Sequence, residues 1–159
     1  MKKGLIVTLA CTLLLFGACK KSGEEAPVVP DNTWTLDGTL SVVSSTTRSE
    51  ATANTEASIV FKDDANGGKA KLRLDFVALP TATGTYQITA FDGEKLSGTE
   101  CRLYVYDKAG GGWYFTGSPV SVEIGFTKNN KIKVTIPEVR VTVASPAPIL
   151  TLTASVYEQ

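Results

Sequence analysis

The chain has no histidine, only three cysteines and a single methionine in 159 residues. Lacking histidine, it lacks both the commonest general base near neutral pH and the commonest metal ligand. Neither sign of charge is in excess, since 16 Lys and Arg balance 16 Asp and Glu. A nucleic-acid partner, which calls for a basic excess or stripe, is therefore not expected. Catalytic signatures are missing too: the sequence holds no Gly-x-Ser-x-Gly elbow, no Ser-x-x-Lys pair and no Gly-x-x-x-x-Gly-Lys phosphate loop. No apolar run is long enough to span a membrane. The longest, Leu5 to Phe16, is broken by Thr8 and Thr12. As a helix it would reach about 18 Å, against a hydrocarbon core of about 30 Å.

That short run is informative in its setting. Lys2 and Lys3 precede it, Gly17 and Ala18 end it, and Cys19 stands where apolar character stops and "KKSGEE" begins. A basic head, a short apolar core and small residues before a cut site describe a secretory signal. Cys11 lies inside the run, with four large apolar residues still to come, and is the poorer candidate for the junction.

Leu15-Phe16-Gly17-Ala18-Cys19 resembles the lipobox of bacterial lipoproteins. The resemblance implies cleavage before Cys19, a diacylglycerol on its thiol and acylation of the new N-terminus. Residues 1–18 are then a signal peptide, and residues 19–32 a charged, proline-bearing tether. Two or three acyl chains on one residue hold firmly, because each buried CH₂ adds about 0.8 kcal/mol. The membrane relation becomes "anchored to", not "spans". Glu24 and Glu25 resemble the acidic export signal of Bacteroidota lipoproteins, which implies an outer-membrane location facing the periplasm or the exterior.

Cleavage leaves 141 residues, enough for one domain. It also removes Lys2 and Lys3, so 14 basic side chains face 16 acidic ones, a net −2. Cys101 alone remains as a thiol, and the domain is expected to be stable from its core without a disulfide.

From Thr33 onward the apolar period is two. Trp34, Leu36, Leu40 and Val42 alternate with polar residues, as do Ala70, Leu72, Leu74 and Phe76. The same holds for Val120 to Phe126, Ile132 to Ile136, Val139 to Val143 and Leu150 to Val156. No window in residues 33–159 supports a helix. "DDANGG" predicts a hairpin after Ile59-Val60-Phe61, and "KNNK" (Lys128 to Lys131) another, since Asn tolerates positive φ. Ser44 to Glu56 is the longest polar stretch and reads as a mobile surface loop. The expected fold is all-β: an antiparallel β-sandwich over residues 33–159, with a lipocalin-like β-barrel as the alternative. "NTWTLDGT", "LPTATGTYQI" and "ILTLTASVYE" are similar to stretches of small Bacteroidota lipoproteins. That resemblance implies a β-sandwich and supplies no active site.

Among candidate sites, "CRLYVYDKAGGGWYF" is the richest. Tyr104, Tyr106 and Trp113 form a possible binding patch for a glycan or an envelope protein, since Tyr and Trp suit interfaces. Cross-strand aromatic pairing would explain the same residues without a ligand. Cys101 shares a face with Leu103 and Val105 and reads as a buried, inert thiol. Asp63, Asp64 and Asn66 offer oxygens to calcium, but no bidentate acid follows at EF-hand spacing, which favours a plain turn. The expectation is a non-catalytic binding or structural module with no cofactor and no metal. Its partners are the membrane, through Cys19, and a glycan or envelope protein. A small apolar-ligand carrier is the alternative. A glycoside hydrolase would need two carboxylates in one cleft.

Overall fold

The structure, a computed structural model, describes residues 30–143 and 148–159. The expected signal peptide (residues 1–18), Cys19 and most of the expected tether (residues 19–32) lie outside the described residues. The described chain is built from strands: β1 (Thr33–Leu36), β2 (Thr39–Val42), β3 (Ser45–Ser49), β4 (Ala57–Asp63), β5 (Ala70–Phe76), β6 (Gly84–Ile88), β7 (Glu100–Tyr106), β8 (Gly112–Phe115), β9 (Val120–Phe126), β10 (Ile132–Thr142) and β11 (Leu150–Tyr157). Among the described residues the only helical segment is a 3-10 turn at Asp64–Asn66. No helix there is long and apolar enough to cross a membrane.

The strands pair in the order β2-β1-β11-β10-β9-β6-β7-β5-β4-β3, and β8 bridges β10 and β7. Strands β6, β7, β8, β10 and β9 thereby close a five-strand ring. Strands β2, β1 and β11 flank it on one side and β5, β4 and β3 on the other. The all-β expectation holds. Two separate sheets facing each other are not what the ladder forms, because β8 and the β9–β6 pair both connect the two flanks into one sheet. Nor is the pairing wholly antiparallel, since β6 and β7 run parallel.

The flanks also meet at the opposite seam. Only Val43 and Ser44 separate β2 from β3, so one chain segment passes from the first flank to the second. The Val43 N–H donates to the Asn32 carbonyl and the Ser44 N–H to the Lys62 carbonyl. One contiguous apolar core lies within, and Trp34, Phe61, Leu72, Leu74, Phe76, Leu103, Ile124 and Leu152 are all fully buried. This filling argues against the interior cavity that a lipocalin-like carrier requires.

Three local outcomes differ from the alternation read along the chain. Leu40 and Val42 are 44% and 53% exposed, while Ser41 is 3% exposed. The reason is the β1–β2 turn. Asp37 and Gly38 both have positive φ (46° and 77°), the signature of a two-residue primed turn. That turn pairs Leu36 with Thr39 and Trp34 with Ser41, so Ser41 follows Trp34 inward and its neighbours face out.

Second, residues 45–49 of the expected loop are strand β3, paired along its length with β4. Its Ser and Thr residues suit a solvated edge, and Arg48 supplies a charge that deters further pairing. Third, the runs ending at Ile136 and starting at Val139 belong to one strand, with a bulge at Pro137 and Glu138 opposite Thr153. The extra residue resets the inward phase. Proline, without an N–H to donate, sits where β10 leaves β9 and joins β8.

Candidate recognition face

The patch expected from Tyr104, Tyr106 and Trp113 is divided by the strand register. Val105 faces Trp113 across the β7–β8 pair, and Tyr104 faces Tyr114. Directly opposed residues share a face. Trp113 therefore turns inward with Val105 and packs against the core, while Tyr104, Tyr106 and Tyr114 lie half-buried on the outer face. Sequence alternation could not reveal this, because the Asp107–Gly111 turn sets the phase of β8 relative to β7.

That turn is closely specified. Asp107 Oδ1 accepts the N–H groups of Ala109 and Gly111, each at 2.8 Å. A Cβ on Gly111 would stand 2.8 Å from Asp107 Oδ2, and one on Gly112 would stand 3.1 Å from the Tyr106 ring. The glycines thus let the aspartate close the turn and let Tyr106 lie flat across β8. Partial burial pushes the Asp107 carboxyl up. The backbone N–H donors of Gly111 and Ala109 outweigh it, and the group stays below its ordinary value.

The outer face continues from the tyrosines onto basic residues. Arg73 stands opposite Tyr104 and Lys71 opposite Tyr106. On the next strand Val60 faces Arg73 and Lys62 faces Lys71. The Arg73 guanidinium lies 5.7 Å from the Tyr104 ring centroid, within cation–π range, and its Nε donates to Asp75 Oδ1 at 2.6 Å. Asp75 is nearly buried; burial raises its carboxyl more than the Arg73 hydrogen bond lowers it. Burial likewise raises the Tyr104 phenol, helped by Asp75, so it is a hydroxyl donor at neutral pH. The depression on this face is about 320 Å³, lined by Thr47, Val60, Lys62, Lys71, Arg73 and Tyr106.

Another hollow, about 330 Å³, opens between the β1–β2 and β7–β8 turns and includes Trp34, Leu36, Asp37, Tyr106 and Asp107. It holds two carboxylates, as a glycoside hydrolase would need. Asp107, however, is engaged as a turn acceptor and held low, the opposite of a general acid.

Arg102 is buried under the Thr89–Thr99 segment, paired with Glu56 and the Glu94 carbonyl, with the Phe91 ring 5.0 Å away. Its role is to hold that segment against β7. Cys101 is fully buried, and burial pushes its thiol up to about 12. "DDANGG" forms a turn: Asp63 accepts the Ala65 N–H, and Asp64 accepts the Ser44 and Ser45 hydroxyls. Among the described residues no group of three or more His, Cys, Asp or Glu is placed to hold a metal ion. The residues that reasoning along the sequence missed are Lys62, Lys71, Arg73 and Tyr114. The signal available was the polar side of "KAKLRLDF", where Lys69, Lys71 and Arg73 recur at period two.

No family model, curated protein or solved structure matches the chain.

Proposed function

We propose that this protein is a non-catalytic binding module of the bacterial cell envelope. It is held on the outer membrane through lipid on Cys19 and engages a glycan or an envelope protein with its outer tyrosine face. The observation that carries the reading is the outward, half-exposed row of Tyr104, Tyr106 and Tyr114 beside the depression lined by Arg73, Lys71 and Lys62. Flat amphipathic rings that stay wet on one side retain contact area for a partner at low conformational cost. Trp113, which faces the core, has no part in this surface.

The test compares full-length chains in detergent for retention on purified envelope polysaccharide and envelope protein fractions. Tyr104→Ala with Tyr106→Ala should reduce retention at least tenfold, or about 1.4 kcal/mol, with an unchanged far-UV spectrum. Single Tyr→Thr variants, which keep strand propensity, supply the comparison if the double variant unfolds. Wild-type retention by the folded variants would refute the recognition face.

A further inference from the structure

Lys62 and Lys71 stand directly opposite each other in the β4–β5 ladder, on the outer face. Like charges in that position repel, and neither lysine belongs to an ion pair among the described residues. Arg73, the next outward residue on β5, is engaged on its far side by Asp75. Two acids lie near this end of the face. Asp64 senses the Lys62 charge, but its carboxylate is taken by the Ser44 and Ser45 hydroxyls. Asp107 is taken by its own turn. Three cations therefore converge on one depression with a single acid, Asp75, in direct contact with any of them. Thr47, Val60 and Tyr106 complete its lining, and Tyr104 and Tyr114 extend the face alongside.

We propose that this depression is the seat of an acidic saccharide. A uronate or sulfate group of the ligand supplies the missing counter-charge between Lys62 and Lys71. Its sugar ring lies against Tyr106, and the chain continues over Tyr104. The inference rests on the tyrosine face being a recognition surface, and it names the ligand class.

One feature favours a saccharide over a bare anion or a lipid headgroup. Half-exposed rings adjoin the cations, and flat ring faces suit sugars whereas a headgroup phosphate needs none.

Full-length protein in detergent would be titrated calorimetrically with polygalacturonate, dextran, poly-glutamate and phosphatidylglycerol vesicles. Polygalacturonate should bind, weaken as salt rises, and lose at least tenfold in affinity in both Lys62→Gln/Lys71→Gln and Tyr106→Thr. The lysine variant removes a repulsion, so its fold is secure. Dextran binding that is unaffected by the lysine variant but lost with Tyr106→Thr would overturn the acidic ligand and leave the tyrosine face standing. Equal affinity for poly-glutamate would overturn the saccharide, and preference for the vesicles would make the face a membrane surface. Absence of binding to both polysaccharides would overturn the proposal; if the envelope protein fraction is still retained, the broader reading survives.

Discussion

Replacing Glu158 tests how the two flanks of the sheet are joined. Glu158 is 5% exposed although it is the penultimate residue. Its Oε2 accepts the Ile132 N–H at 2.6 Å at the start of β10, and its carboxylate pairs through both oxygens with Arg48 on edge strand β3. A hydrogen bond to a charged group contributes about 1.5–3 kcal/mol. The Arg48 side chain is 43% exposed, so that arm adds only about 0–1 kcal/mol. Glu158→Gln keeps an acceptor for Ile132 but loses the charge, and should lower stability by about 1–2 kcal/mol at pH 7. Glu158→Ala leaves the Ile132 N–H buried without a partner and should lower it further.

The pH dependence gives a sharper test of the same carboxylate. Burial, the largest influence, pushes the Glu158 carboxyl up, but Arg48, the Ile132 N–H and Lys131 outweigh it, and the group titrates below its ordinary value. A depressed folded value means the contribution is complete above the unfolded value, about 4.3. It is lost as pH falls through the lower folded value. The gap between wild type and Glu158→Gln should be steady from pH 7 to 5, narrow below about pH 4 and close at lower pH. Urea unfolding followed by tryptophan fluorescence at each pH measures it. No gap at pH 7, or one that persists undiminished at pH 2, would refute the reasoning.

Leu74→Ala, at a fully buried position of β5, should lower stability by about 2–5 kcal/mol in urea unfolding. Leu40→Ser and Val42→Ser should change it by less than about 0.5 kcal/mol each, as exposed surface positions do; a core-sized loss would mean the β1–β2 register is wrong. Native Cys101 should resist iodoacetamide at pH 8 and react only after unfolding, because its thiol is buried and pushed up to about 12. Reductant should leave the melting temperature unchanged. Cys19→Ser should shift the protein from the membrane pellet to the soluble fraction with the domain still folded, and a variant that still sediments after a high-salt wash would exclude the lipid anchor.

Strand identity was legible wherever side chains alternate over four or more residues, because the two-residue period is a local property of extended backbone. Ala70 to Phe76, Ile132 to Ile136 and Leu150 to Val156 all place their apolar side inward. The turns at Asp63–Gly68 and Lys128–Lys131 were legible for a similar reason, since Asn and Gly tolerate positive φ and both Gly67 and Asn130 adopt it. The inertness of Cys101 followed from its apolar neighbours. Alternation alone, however, does not say which phase faces the core across a turn. Asp37-Gly38 was the available signal that Ser41, not Leu40 or Val42, would be inward. Long-range pairing has no linear signature either: polar Ser45 to Ser49 became a strand only because β4 presents it with a free edge. Closure of the ring, the inward turn of Trp113 and the meeting of Lys62, Lys71, Arg73 and Tyr106 were likewise decided by register between strands distant in sequence. Sequence by itself determined that this chain is all-β and which residues alternate. Tertiary structure decided which strands meet, and therefore which polar residues share a face, because hydrogen-bond register couples segments whose side-chain patterns carry no mark of one another.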